Sequence, residues 1–428
     1  MFGIMVSERR LQMHKKIFFL VDVNSAFLSW EATYRMQHGA KVDLRTVPSI
    51  IGGNPKTRRG IVLAKSIPAK KYNIKTGESL RDALQKCPTL EVVAPSYEIY
   101  IRASNALLDI LKEYSPNIQR FSIDECFIDF TDSRRLFGEP VEVAHIIKNR
   151  VKKELGFTVN VGVSSNKLLA KMASDLKKPD QVHTLFPEEM SEKLWPLPVD
   201  DLFMVGRKTL PKLNQLGIFT IGDLAKSDLS SLKYHLKSHG KLIWEYANGI
   251  EDSQISLAKY DDVKSIGNST TIPYDIDSKE EALLYLLSLT EMVAMRLRGK
   301  NKMCQLVAIT IKNNELISYS HQRKIYFSTD LTNDIFDEVR KLFEDAWKKD
   351  PIRHLGVRVS DLIDNDEKQL SIWDNKNEES LRKLDSTVDE LRQKYGNSII
   401  QRSSFLHTGI KNVNGGVEKD YPMMTSIL

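Results

Sequence analysis

Two carboxylates stand side by side in "FSIDECFIDF", residues 121 to 130, where Asp124 and Glu125 separate two runs of apolar, β-branched and aromatic residues. Runs of that kind predict two strands joined by a tight turn, so the acids crowd the tip of a hairpin and repel each other. Two readings stay open on these residues alone. One is a solvated turn, since acids are common turn residues. The other is a site for a divalent cation, whose charge relieves the repulsion. A third acid, Asp22, sits near the end of the apolar run "IFFLVDVNSAF", residues 17 to 27. That run has the pattern of a central strand buried on both faces, where a carboxylate is costly unless compensated.

The surrounding elements must position these acids. From Leu80 the pattern turns helical, and "YIRASNALLDILKEYS" continues it, with Ile101, Leu108 and Leu111 at helical spacing and Pro116 at its end. After the hairpin come an amphipathic helix, "VEVAHIIKNRVKKELG", an alternating strand, "FTVNVGVS", and a helix, "SNKLLAKMASDLKKP", closed by Pro179. Strand, helix, two strands, helix, strand is a ferredoxin-like order. A long insertion after the first strand carries "TRRGIVLAKSIPAKKYNIKTGE" and reads as a small basic subdomain.

Further on, short helices are separated by "VGRK" and "LGI". They resemble a helix-hairpin-helix, whose turn at Gly206, Arg207 and Lys208 lets backbone N–H groups approach a phosphate, although Met204 stands where a glycine is often found. Helical packing alone also explains the pattern. After "DSQISLAKYDDVKS" a new domain is expected: strand 263–272, helix 279–299, strands 304–312 and 321–328, helix 332–348 and strand 352–361. Val307, Ile309 and Ile311 alternate with Ala308, Thr310 and Lys312, so one sheet face can pack on helices while the other meets a charged partner. Residues 362–374 read as an exposed acidic linker enclosing "QLSIW". Leu381, Leu384, Val388, Leu391 and Tyr395 then form an apolar stripe expected to pack on the body, or else on a partner.

The chain of 428 residues is long enough for two to four domains. Its 41% hydrophobic and 28% charged content is that of a soluble globular protein, and no apolar run approaches the roughly 18 residues of a membrane span. The opening "MFGIMVSERRLQMHKK" reverses the order of a secretory signal and reads as a ragged extension, or as an upstream start ahead of Met13. Cys87, Cys126 and Cys304 lie far apart and suggest neither a zinc site nor disulfides, which places the chain in reducing cytosol. A net charge of +6 suits a polyanion partner. The basic residues from Arg296 to Lys324, opposed only by Glu315, either meet that partner or form a solvated face.

Asp22 in "DVNSAF", the "SIDE" of 122–125 and "GVSSNKLLAKMASDLKKP" of 162–179 together resemble a Y-family, translesion DNA polymerase of the bacterial kind. The resemblance implies an α+β multidomain fold: a ferredoxin-like palm with inserted fingers, a helical thumb, and a β-α-β-β-α-β little finger. The expected bounds are 1–28 for the extension and first palm strand, 29–94 for the fingers, 95–186 for the palm and 187–252 for the thumb. A linker at 253–262, the little finger at 263–362 and a tail at 363–428 complete the chain. The implied activity is low-fidelity, template-directed addition of deoxynucleotides to a primer 3′ end, bypassing damaged template bases. Such an in-line phosphoryl transfer uses two divalent ions held by oxygen ligands at the ends of rigid strands.

By the resemblance, Asp22 and Asp124 bridge two Mg²⁺ ions, the carbonyl of Val23 adds an oxygen, and Glu125 holds the ion at the primer end. Phe27 matches the steric gate, a ring that leaves no room for a ribose hydroxyl. Lys178 matches the lysine on the triphosphate, and Lys70 falls where the family usually has arginine, which gives up bidentate geometry. Ile67 stands where a tyrosine commonly contacts phosphate. Gly206, Arg207, Lys208, Arg298, Lys312, Arg323 and Lys324 would grip the primer-template backbone. "QLSIW" resembles the motif that binds the bacterial sliding clamp (beta subunit), through Gln369, Leu370, Ile372 and Trp373. A cytoplasmic monomer is expected. A two-metal nuclease, or a silent clamp-tethered DNA-binding factor, are the competing readings; the first leaves Phe27 and Lys178 unexplained, and the retained acids argue against the second.

Overall fold

The structure is a computed structural model and describes residues 16–53, 60–255, 263–365, 378–406 and 408–410. The expected clamp motif at 369–373 lies outside the described residues. Those described form two compact units that divide near residue 258.

The first unit is built on β1 (Phe18–Val23), every residue of which is buried. Strands β2 (Ser49–Gly52), β3 (Val62–Lys65) and β4 (Glu91–Val93) form a separate sheet of order β3-β2-β4. Strands β5 (Ile118–Arg120), β6 (Glu125–Asp129), β7 (Val159–Ser164) and β8 (Val182–Thr184) join β1 in the order β5-β6-β1-β7-β8. Without β8, which runs parallel to β7 at the edge, this is the ferredoxin-like order expected of the palm. The centre falls to β1 because both its faces are apolar. Phe19, Val21 and Val23 pack toward the helices α1 (Ala26–Gln37), α2 (Tyr97–Lys112) and α3 (Pro140–Leu155). Phe18 and Leu20 face the other way, with Phe127 and Ala170 of α4 (Lys167–Asp175). Strand alternation puts Asp22 on this second face.

The expected palm and fingers boundary at 28/29 falls inside α1, whose Leu28, Trp30 and Ala32 belong to the palm core. The inserted lobe has its own small core of Ile50, Val62, Ala69, Ile74, Leu80, Ala83, Cys87 and Leu90. The thumb is the expected set of short helices, among them Leu210–Gln215, Ile221–Lys226, Leu229–Leu236 and Ser238–Ala247. Leu168, Leu169 and Met172 of α4 share its core, so α4 is wedged between palm sheet and thumb.

The second unit contains β9 (Ser265–Ile276), α5 (Lys279–Gly299), β10 (Lys302–Asn313), β11 (Ser318–Thr329), α6 (Thr332–Ala346) and β12 (Ile352–Asp364). Each expected element is present, and the sheet order is β11-β10-β12-β9 with every pairing antiparallel. A further helix, α7 (Glu378–Tyr395), docks on this unit in a way the apolar stripe did not anticipate. Leu381, Leu384 and Tyr395 remain exposed, Leu384 by 60%. Charge does the docking instead: Arg298 pairs with Asp385 and Asp389, Arg382 with Asp330, and Arg392 with the buried Glu291. Such buried pairs fix a geometry more than they add stability.

Candidate active site

Strand register brings the acids together. Asp22 lies opposite Glu125 on β6 and opposite Asn160 on β7. Asp124 occupies the turn just before β6, held because its carbonyl accepts from Val23 N (3.0 Å), while Phe121 N and Ser122 N donate to Glu125 O (2.9 and 3.1 Å). The turn therefore spans 121–124 and Glu125 opens the strand, one residue earlier than in a hairpin with both acids at its tip. The Ser122 hydroxyl sits between the two, 2.5 Å from Asp124 Oδ1 and 3.4 Å from Glu125 Oε2. Asp22 is only 6% exposed. Its burial pushes the carboxyl up to about 7, with Glu125 and Asp124 adding to the rise and Lys178 opposing it.

Two lysines face the acids. Lys178 Nζ binds Asp22 Oδ2 and lies 2.8 Å from Asp175 Oδ1. Lys171 Nζ lies 2.5 Å from Glu125 Oε1. With these ammonium groups in place, no three His, Cys, Asp or Glu side chains among the described residues already form an ion cage. The donor set nevertheless fits a hard cation: carboxylates of Asp22, Asp124 and Glu125, with the Val23 carbonyl adjacent in sequence, all oxygen. Asp22, Glu125 and Asp175 pair with the two ammonium groups, and Asp124 joins them through the Ser122 hydroxyl.

The lysines reach this face because α4 approaches β7 very closely. A Cβ on Gly162 would sit 1.9 Å from Ala170 O, so only glycine fits there. Asn160 fastens the end of α4 by donating to Ser174 O (2.9 Å) and Lys177 O (2.7 Å), and its Oδ1 accepts from Asn24 Nδ2 (3.1 Å) and Gln181 N (3.2 Å).

Phe27, in the first turn of α1, is half-buried. Its ring stacks on Tyr100 at 4.7 Å and meets the edge of Tyr97 at 6.1 Å. Tyr100 is in turn fixed by donating to Glu31 Oε2 (3.2 Å). In the inserted lobe, Lys70 is exposed at the end of the short helix Ile67–Lys70, and Ile67 is 53% exposed with no polar group to offer. Lys65 joins Lys70, Lys75 and Lys86 in a cluster of ammonium groups, and burial and that repulsion lower its proton affinity.

At the thumb turn, Gly206, Arg207 and Lys208 are exposed as expected. Met204 itself adopts the left-handed backbone (φ 77°), the conformation a glycine would take most easily, while a Cβ on Gly206 would meet open space. In the second unit the expected cations divide. Lys324 pairs across the sheet with Leu306, and Lys312 lies two residues from Thr310, so both project from the face opposite Val307, Ile309 and Ile311. Arg323, opposite Val307, turns to the helix side and pairs with Glu338 and Asp345 of α6. Arg298 is a correction: half-buried, it donates to Asp385, Asp389 and Asp330 O, so its charge is spent on α7 rather than on an external anion. Arg358, opposite Ala308 on the open face, was overlooked. The sequence does not single out Lys171, Ser122 or Tyr100 either; the burial of Lys171 within residues 167 to 174 of α4 emerges only in the fold.

Comparison with known proteins agrees with this layout. Residues 21–175 match the impB/mucB/samB family (IMS), 187–218 the IMS family HHH motif, and 263–372 the impB/mucB/samB family C-terminal domain. The chain is 48% identical to a DNA polymerase IV of Clostridium acetobutylicum over 391 residues, 91% of this chain and 98% of the relative. It is 38% identical to a DNA polymerase IV of Acetivibrio thermocellus (92% and 98%) and 34% identical to DNA polymerase IV 2 of Bacillus subtilis (92% and 95%). Among solved structures, the Y-family DNA polymerase chimera Dbh-Dpo4(243-245)-Dbh superposes with a TM-score of 0.70 at 23% identity, over 82% of this chain and 100% of that one. Fold and sequence together define the class, a polymerase of palm, fingers, thumb and little finger. Within it, the chain belongs to the impB/mucB/samB family, the Y-family DNA polymerases.

Proposed function

We propose that Asp22, Asp124 and Glu125 form the catalytic centre of a translesion DNA polymerase that extends a primer 3′ end along template DNA. Their gathering on one face of the palm sheet is the observation that carries the reading. Asp22, Asp124, Glu125 and the Val23 carbonyl would hold two Mg²⁺ ions. When bound, such ions supply Lewis-acid stabilisation to the attacking and leaving oxygens of an in-line displacement. Lys178, on Asp22 in the ligand-free chain, is placed to give its charge to the triphosphate of an incoming deoxynucleotide, together with Lys70. The Phe27 ring, clamped by Tyr100 and Tyr97, excludes a 2′-hydroxyl by overlap.

DNA is held through its backbone by Gly206, Arg207 and Lys208 of the thumb and by Lys312, Lys324 and Arg358 of the little finger. Contacts of that kind neutralise phosphate without reading bases, which suits a damaged template. Gln369, Leu370, Ile372 and Trp373 supply the apolar and amide anchors for a bacterial sliding clamp, and the polymerase works as a monomer in the cytoplasm. The same carboxylates could serve a nuclease, but a sugar gate and a triphosphate lysine have no part in hydrolysis.

The test is extension of a labelled primer on a longer template with Mg²⁺ and deoxynucleotides. Asp124→Ala should abolish lengthening and keep DNA affinity within about twofold. Normal extension by that variant, or shortening of the primer by the unaltered protein, overturns the proposal.

A further inference from the structure

We infer that Lys171 is a positioning residue of this site: it holds Glu125 so that a single carboxylate oxygen faces the cation position, and the thumb holds it in turn. The inference rests on the reading just given and deepens it.

Lys171 is 9% exposed, within a stretch of α4 whose residues 167 to 174 are all buried. An ammonium group in such a place costs free energy unless it is paired. Its Nζ lies 2.5 Å from Glu125 Oε1 and 3.8 Å from Asp175 Oδ2. On its other side stand the rings of Phe121 (5.7 Å) and Phe203 (5.6 Å), at cation–π distance. Phe203 comes from the thumb, where it stacks on Tyr246 and also touches Phe121. Lys171 is therefore caged between acids and rings. With Oε1 taken, Glu125 is left with Oε2, the oxygen that shares the Ser122 hydroxyl with Asp124. The lysine thus fixes which oxygen Glu125 can offer, and its positive charge restrains the pull of the acid cluster on a cation.

Pinning and restraint have opposite signatures when the lysine is replaced. Lys171→Met frees Glu125 to rotate, so kcat for primer extension should fall about tenfold or more, with KM for the deoxynucleotide within about twofold. The same change removes a repelling charge, so Mn²⁺ binding, read by electron paramagnetic resonance without turnover, should tighten about threefold or more. Lys171→Arg keeps the charge and should return Mn²⁺ affinity to that of the unaltered protein. Phe203→Leu loosens the cage but keeps the lysine, and should lower kcat severalfold with Mn²⁺ affinity unchanged; it carries the test if Lys171→Met fails to fold. Unchanged kcat in Lys171→Met, or weaker Mn²⁺ binding as in a damaged site, overturns the inference, as does unchanged kcat in Phe203→Leu. Failure of the underlying reading looks different: the unaltered protein would then bind Mn²⁺ no better than Asp124→Ala.

Discussion

Asp22→Asn should stabilise the metal-free protein at neutral and higher pH while destroying its activity. Burial, with Glu125 and Asp124 close by, raises the Asp22 carboxyl from 3.8 to about 7 against the pull of Lys178. The folded chain therefore binds this proton more tightly than the unfolded chain. Its stabilising contribution is complete below the unfolded value of 3.8 and is lost as pH rises through the folded value of about 7. A rise of about three pKa units, at about 1.36 kcal/mol each, makes the full loss on the order of 4 kcal/mol. Asparagine keeps the shape and removes the charge. Lys178 is not stranded by the change, because Asp175 remains 2.8 Å away. In denaturant unfolding with a chelator at about pH 8, the first unit of the variant should unfold at a higher midpoint, and the gap should narrow as pH falls toward about 5. Saturating Mg²⁺ should then reverse the order, since only the unaltered site gains from ion binding by mass action. A variant less stable than the unaltered protein at about pH 8 without metal, or a gap independent of pH, refutes the reasoning.

Phe27→Ala should lower discrimination against ribonucleotides by about tenfold or more, measured as the ratio of kcat/KM for deoxynucleotide and ribonucleotide. Tyr100→Ala should lower it less, because the ring loses its stacking partner but remains, and unchanged ratios in both variants count against the gate. Lys312→Ala, Lys324→Ala and Arg358→Ala should each reduce the slope of log affinity for duplex DNA against log salt by about 0.9. Arg298→Ala should leave that slope alone and instead destabilise the second unit by about 3–5 kcal/mol, because it removes the ion-pair partner shared by Asp385 and the buried Asp389. A salt slope that falls with Arg298→Ala, and not with the other three, reverses the assignment of faces.

The palm was legible because its strands carry their topology in their patterning: β1 is apolar on both faces and takes the centre, and the acids follow from adjacency in sequence and strand register. The second unit was legible for a related reason, as the alternation of β10 separates the core residues Val307, Ile309 and Ile311 from Thr310 and Lys312. Side chains whose role depends on distant partners were not. Arg298 reads as a surface cation until α7, with Asp385 and Asp389, is folded against it. The stripe from Leu381 to Tyr395 reads as a packing face, yet Arg392 reaches Glu291 while Leu381, Leu384 and Tyr395 stay exposed and only Val388 and Leu391 are half-buried. Lys171 is hidden by the general tendency of lysines to lie on surfaces, a tendency overruled here by Gly162, which draws α4 down onto the sheet and its acids.

The most direct test is a crystal structure of the protein with primer-template DNA, Mg²⁺ and a non-hydrolysable deoxynucleotide. Two ions about 3.5–4 Å apart should appear, each about 2.0–2.1 Å from carboxylate oxygens of Asp22 and Asp124, with Lys178 moved from Asp22 onto phosphate. A bound nucleotide with Lys178 still on Asp22 and no ion among the three acids would contradict that arrangement.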